Sequence, residues 1–307
     1  MIEAHGLGKT FDAFTAVHNL SLNVAEGELL ALLGPNGAGK TTTVRMLGSI
    51  LKPTTGTARV NGYDVVAEPH KVRHAIGMLT EQPGLYLRMS GLEYLLFYGR
   101  LYGLSDAAIK KRGLGLFERF GMIEAAERRL GTYSKGMRQK VGLIRSMLHS
   151  PNILLLDEPT SAMDPHSAKL VRDSIMELRD DKRAIILCTH NLAEAESLAD
   201  RIAIIKQGTI VAEGETAVLK QQLLGPPQLE VRLDRPLNGQ INDLDDIVAI
   251  EWMRGDTIRY RTEQPITANP ELIRRLSGLG LGVVTLREVA QSLEEVYLHV
   301  VADETGD

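Results

Sequence analysis

The stretch Gly34-Pro35-Asn36-Gly37-Ala38-Gly39-Lys40-Thr41-Thr42 constrains this chain more than any other. It follows the apolar run Leu29 to Leu33 and leads into Thr43-Val44-Arg45-Met46-Leu47, so its context is a buried strand, a tight glycine loop and the first turns of a helix. That is the setting of a P-loop. Glycines at 34, 37 and 39 let successive backbone N–H groups converge on one anion, with Asn36 and Ala38 filling the loop and the positive helix end adding its attraction. In this pattern Lys40 reaches the β- and γ-phosphates of a nucleoside triphosphate, and the hydroxyl of Thr41 ligates Mg²⁺.

Composition bounds the rest. The 307 residues allow one large or two modest domains, and 44% apolar residues without gross bias indicate an ordinary core. Apolar runs reach only five or six residues and no basic segment precedes an apolar one at the start, so neither a membrane span nor a signal peptide is expected, and a cytosolic setting is. The single cysteine, Cys188, excludes an intrachain disulfide and fits a buried small residue. Residues 221 to 307 hold eight Arg, no Lys and fifteen Asp or Glu, a net of −7 against −4 for the whole chain. No basic face of a nucleic-acid binder is evident.

Taken in order, residues 2 to 30 alternate short apolar pieces with turns, as in an antiparallel β region. Phe11 lies within it and could stack on a purine, although its spacing alone fits a core aromatic better. His70 and His74 stand four apart on a short helix, but Lys71 and Arg73 would repel a metal cation there. Ile76 to Leu79 reads as a strand ending in the polar loop Thr80-Glu81-Gln82-Pro83-Gly84. From Ser90 to about His149 the pattern turns helical, with the last helix capped by Ser134 and Met137, Val141, Ile144 and Leu148 on one face. That N-terminus suits a capped core helix or an anion site. Ile153 to Leu156 is a continuous apolar run of the central parallel type, ending in Asp157-Glu158 at the edge where open α/β sheets bind ligands. Asp157 can orient Mg²⁺ and Glu158 can polarise an attacking water. Ser161-Ala162-Met163-Asp164 precedes a helix from Pro165 to about Arg179, and Ala184 to Cys188 is another buried strand that ends at Thr189-His190. A core imidazole is the default for His190 without the other motifs.

The ordered set GPNGAGKTT, the Glu81-Gln82 loop, YSKGM, ILLLDEPT, SAMD and Thr189-His190 spans about 215 residues and resembles the ATP-binding cassette of ABC transporters. The resemblance implies an α/β P-loop NTPase with a mainly parallel sheet, an antiparallel β subdomain and a helical subdomain at about 85–150. It also implies that Phe11 stacks on adenine, that Ser134 and Gly136 form the signature loop, that Asp164 belongs to the D-loop, and that His190 is the switch histidine at the γ-phosphate. ATP and Mg²⁺ follow as cofactors. Two departures stand out: Lys135 replaces a signature glycine, and Glu81 occupies the usual glutamine position with Gln82 one place later, so either could meet the metal. Both variants look like those of drug- and lipid-exporting cassettes, whose permease is a separate chain.

The cassette is expected at 1–223. Beyond Gly225-Pro226-Pro227, residues 228–307 read as a small α+β domain, with strands at 229–233, 247–252 and 257–261, a Gly255-Asp256 turn, and helices near 270–276 and 292–301. Two function classes compare. One is the ATPase subunit of a membrane exporter, peripheral on the cytoplasmic face, pairing with a second copy or a related cassette and with a transmembrane permease. The other is a soluble cassette ATPase acting on the ribosome or nucleic acid. A single cassette, no heptad run and an acidic tail favour the exporter with no nucleic-acid partner.

Overall fold

Leu29–Leu33, Ile153–Asp157 and Ala184–Thr189 are apolar almost without a break, a pattern that suits strands covered on both faces, and in the computed structural model all three are wholly buried. The structure describes residues 1–161, 163–180, 182–236, 244, 246–289 and 292–302. The chain divides into two compact units, Met1–Thr216 and Ala217–Asp307.

The first unit runs β1 (Ile2–Phe11), β2 (Phe14–Val24), β3 (Leu29–Leu33), α1 (Lys40–Leu47), β4 (Thr55–Val60), β5 (Tyr63–Asp64), α2 (Pro69–Ala75), β6 (Ile76–Leu79), α3 (Gly91–Leu101), α4 (Asp106–Arg119), α5 (Lys135–Met147), β7 (Ile153–Asp157), α6 (Pro165–Asp180), β8 (Ala184–Thr189), α7 (Leu192–Leu198), β9 (Arg201–Lys206) and β10 (Thr209–Gly214). α8 (Thr216–Leu224) crosses into the second.

Two sheets build the first unit. The antiparallel one has the order β2-β1-β4-β5 and is the β region anticipated at the N-terminus. The other has the order β10-β9-β3-β8-β7-β6, parallel throughout except for β10 at its edge. One cluster of buried side chains, among them Leu30, Leu32, Val44 and Ile186, fills the space around α1, and a second joins Leu154, Leu156 and Leu187 to α5 and the helical insert. Each such Leu or Ile is worth roughly 1.5–3 kcal/mol of burial, which is what holds the strand ends in place.

The helical insert is set by caps and close approach. Ser90 accepts from Glu93 N while Glu93 reaches back to Ser90 N, a complete capping box, and Ser105 and Ser134 cap α4 and α5 through their hydroxyls. α4 runs unbroken through Gly113 and Gly115; a Cβ at 113 would lie 2.9 Å from Leu95 Cδ1, so glycine there lets α3 pass close, while the space beside 115 is open.

The second unit continues with β11 (Gln228–Leu233), β12 (Ala249–Arg254), β13 (Thr257–Arg261), α9 (Pro265–Gly278), β14 (Val283–Glu288) and α10 (Leu293–Ala302). Its sheet order is β12-β13-β11-β14, all antiparallel, over a core that includes Val231, Ile258, Tyr260, Leu272 and Leu276. Gly255 turns the β12–β13 hairpin at φ 59, as expected. Two features differ from expectation. β14 is an additional strand, mostly exposed, so its sequence lacks the apolar alternation of its partner. α9 begins at Pro265, a first-turn position whose N–H would have no intrahelical partner, and continues with Pro270 inside it. The Gly225-Pro226-Pro227 stretch is tied to β13, where Arg261 Nη1 donates to Leu224 O and Pro226 O at 2.6 and 2.8 Å.

One contact fixes α5 against the main sheet. A Cβ on Gly77 of β6 would sit 2.0 Å from the backbone oxygen of Ser146, which cannot move unless α5 moves. Gly77→Ala should therefore destabilise the protein by about 1–3 kcal/mol, the usual cost of overpacking. Urea unfolding followed by circular dichroism measures this, and an unchanged midpoint would show that α5 yields freely.

Candidate nucleotide-binding site

β8 lies between β3 and β7 with all three parallel, so the loop after β3, the acids after β7 and the histidine after β8 meet on one edge of the sheet. A crevice of about 550 Å³ opens there. Asn36 to Thr42, Glu81, Asp157, Glu158, Ser161 and His190 line it, together with Phe14 and Ala16 from the antiparallel sheet.

The loop geometry is that of an anion cradle. Gly37 and Gly39 take φ of 82 and 102, and a Cβ at 39 would stand 2.7 Å from Ala16 O, so the turn into α1 admits only glycine. Gly39 caps α1 with no side-chain acceptor and no acid follows in the first turn, which leaves the helix end electropositive. Lys40 is 6% exposed, and its Nζ donates to Gly34 O at 2.6 Å and Pro35 O at 3.0 Å.

Asp157 is 1% exposed. Its Oδ2 accepts from Thr41 Oγ1 at 2.8 Å, while Oδ1 is buried without a partner. Burial pushes the carboxyl above its ordinary value, the Thr41 bond pulls it back, and Glu158 and Glu81 push it further up. A buried, half-unpartnered carboxylate beside a hydroxyl fits a hard divalent cation that takes oxygen ligands. Among the described residues no three His, Cys, Asp or Glu are grouped to hold an ion by themselves. The protein would thus supply part of the shell and substrate phosphates and water the rest, the usual manner of Mg²⁺.

Glu158 adopts φ 52, a left-handed backbone that a non-glycine residue keeps only when its neighbours hold it. Its N–H donates to Cys188 O at 2.9 Å, and its carbonyl accepts from Gln139 Nε2 at 3.1 Å. Its Oε1 lies 2.8 Å from His190 Nδ1, and His190 is 57% exposed toward the crevice mouth. Cys188 is fully buried behind them, and burial pushes its thiol well up.

Other anticipated residues fall elsewhere. Phe11 lies outside the lining, 43% exposed with Lys9 Nζ 5.0 Å from its ring centroid, and its cross-strand partner Phe14 stands in the crevice. Gln82 is exposed and also outside the lining, whereas Glu81 is within it; the chain bends at both residues, with Thr80 Oγ1 donating to Gln82 O at 2.8 Å. Gly34 contributes its carbonyl to Lys40 rather than a surface. Ser134 and Gly136 stand outside this crevice, at the start of α5, where the Ser134 hydroxyl accepts from Met137 N at 3.2 Å and the first turn carries no acid. Asp164 caps α6 by accepting from Ser167 N, and that bond lowers its carboxyl from the ordinary value; Ala162 lies outside the described residues. Phe14 and Gln139 carry no motif that singles them out in the sequence, whereas Ser161 opens the SAMD stretch. The one signal for Gln139 was a polar residue on a helix that is otherwise buried around it.

A glycine cradle, a buried lysine, a strand-end acid pair and a histidine on one sheet edge define a P-loop ATPase. Residues 17–161 match the family described as ABC transporter. Over 232 residues the chain is 44% identical to a daunorubicin/doxorubicin resistance ATP-binding protein of Streptomyces peucetius, covering 76% of this chain and 70% of that one. An uncharacterised ABC transporter ATP-binding protein of Bacillus subtilis is 38% identical over 98% of this chain and 99% of its own. Among solved structures, a dimeric ATP-binding cassette in a post-hydrolysis state bound to ADP and Pi superposes with a TM-score of 0.66 at 26% identity, covering 70% of this chain and 98% of that one. The chain belongs to the ABC transporter family and is an ATP-binding, ATP-hydrolysing subunit of it.

Asp157 gives a stability test. Its folded carboxyl titrates above the unfolded one, so ionisation costs stability at neutral pH and the cost disappears as pH falls below the unfolded value. Asp157→Asn should raise the unfolding midpoint of the nucleotide-free protein at neutral pH, by about 2–4 °C per kcal/mol recovered, and lose that advantage in acid. Calorimetry at the two pH values checks this; a lower midpoint at neutral pH would mean that the carboxylate is well paired.

Proposed function

We propose that this chain energises an exporter of drug-like or lipid-like compounds from the cytoplasmic side of the membrane, bound there to a separate transmembrane permease and acting as a dimer with a second copy or a related cassette. The observation that carries the proposal is the pairing of Glu158 with His190 at the same sheet edge as the Lys40 cradle, with the Ser134-capped start of α5, which carries no acid in its first turn, outside that crevice. Drug resistance in the names of the Streptomyces and Mycobacterium tuberculosis relatives supports the choice of cargo class, and no helix among the described residues is long and apolar enough to cross a membrane. These names favour the exporter over an ATPase acting on the ribosome or nucleic acid. The domains proposed are the cassette at 1–223, with its helical part at about 85–150, and an accessory domain at 228–307.

Each side chain has a task in this proposal. Asn36 to Thr42 wrap the phosphates through backbone N–H groups, and Lys40 leaves the loop carbonyls to neutralise the β- and γ-phosphates. Phe14, with Phe11 beside it, offers the aromatic surface for adenine. Thr41 and Asp157 would hold Mg²⁺, with Glu81 or Gln82 nearby; the ion supplies charge neutralisation of the triphosphate. Glu158 takes the proton of the attacking water, and His190, with a proton on each ring nitrogen, donates from Nδ1 to Glu158 and from Nε2 to a γ-phosphate oxygen. Ser134 and Gly136, from the partner copy, bring a second helix N-terminus to the same γ-phosphate.

Glu158→Gln should bind ATP normally but lose about 10²- to 10⁴-fold in turnover, the usual worth of a positioned base. Phosphate release measures turnover, and a rate near that of the parent protein would remove Glu158 from the role. With ATP bound, the same variant should shift from monomer to dimer in light scattering, and adding Ser134→Arg should abolish the shift. A dimer that tolerates arginine at 134 would take the α5 N-terminus out of the nucleotide interface.

A further inference from the structure

Glu194 is a buried acid that the hydrolytic scheme leaves idle. It sits in the first turn of α7, 2% exposed, with both carboxylate oxygens engaged. Oε1 accepts from Thr160 Oγ1 at 2.7 Å and Oε2 accepts from Thr189 Oγ1 at 2.6 Å. The Thr189 hydroxyl in turn accepts from Asn191 N at 3.0 Å. Capping does not explain the acid, because Asn191 Oδ1 already accepts from Glu194 N at 3.1 Å and serves as the N-cap. Packing does not explain it either, since an apolar side chain of this size would be cheaper to bury. Burial pushes the Glu194 carboxyl up, and the Thr189 and Thr160 hydroxyls pull it back.

What the two hydroxyls have in common is their address. Thr160 follows Glu158 by two residues and Thr189 immediately precedes His190, so one carboxylate ties together the two segments that carry the hydrogen-bonded pair. Glu158 needs such a tie, because its left-handed backbone is not self-supporting. We propose that Glu194 is a positioning residue for hydrolysis, clamping the Glu158–Thr160 segment to the end of β8 so that Glu158 and His190 stay within hydrogen-bond distance. The proposal rests on the roles given above to Glu158 and His190.

A double-mutant cycle tests it. Steady-state phosphate release and ATP affinity by titration calorimetry, both with Mg²⁺, are measured for Glu194→Ala and Glu194→Gln, each alone and combined with His190→Ala. The expected result is a kcat lowered by about 10- to 100-fold in Glu194→Ala, with ATP affinity changed less than about twofold and a smaller loss in Glu194→Gln, which retains one carbonyl acceptor. In the His190→Ala background the further loss should be less than about twofold, because partners that act as one unit are not additive. If Glu194→Ala fails to fold, the Gln variant carries the cycle. Equal losses in both backgrounds, losses in affinity matching those in kcat, or no loss at all would overturn the positioning role while leaving Glu158 as the base. Full turnover by Glu158→Gln would overturn both.

Discussion

The parallel pairing of β8 between β3 and β7 is the constraint on which the site depends. A parallel ladder aligns carboxyl ends, and side chains buried on both faces keep the register, Leu33 beside Thr189 and Asp157 beside Cys188. Glu158 and His190 directly follow the ends of β7 and β8, and the Lys40 loop follows β3. A slip in either ladder would carry the acids away from the phosphate cradle and turn buried leucines outward.

Costs are concentrated at this edge and offset elsewhere. Asp157 has a buried oxygen without a partner, Glu194 is a buried carboxylate, Glu158 is held in left-handed backbone, and α1 starts with no side-chain cap. Each is unfavourable alone, by amounts of about 1–3 kcal/mol for a strained backbone or an unmade buried hydrogen bond. The surrounding strands and α5 absorb them, because their apolar faces are almost entirely buried. In the proposed function a phosphate ligand with its cation would relieve two of them, the unpartnered Asp157 oxygen and the uncapped start of α1, so affinity would be gained from features that weaken the empty protein.

The same helix-terminus physics occurs twice in the chain, for different purposes. α1 begins at Gly39 inside the crevice, while α5 begins at Ser134 in solvent. In the proposed function the first gathers the phosphates of this chain's own nucleotide. In the proposed dimer the second is presented to the nucleotide of the other copy, and Gln139, one turn along α5, joins that helix to the carbonyl of Glu158.

Much is legible in the sequence alone. Runs such as Leu29 to Leu33 and Ile153 to Leu156 announce buried parallel strands, Ser90, Ser105 and Ser134 announce helix starts, and the Lys40 loop announces a phosphate site, because each depends on neighbours within one turn or one strand. Strand β14 leaves no mark in the sequence because it is an exposed edge that, among the described residues, pairs only with β11, and Pro270 reads as a helix start although α9 begins at Pro265. By itself the sequence determined the element types, the P-loop and the strand-end acids, all local in origin. Only the tertiary structure decided that Phe14 rather than Phe11 and Glu81 rather than Gln82 line the crevice, and that Gln139 and Glu194 are hydrogen-bonded to the Glu158–Thr160 segment. Those choices turn on side-chain direction and on hydrogen bonds between residues 19 and 34 positions apart, which no local pattern encodes.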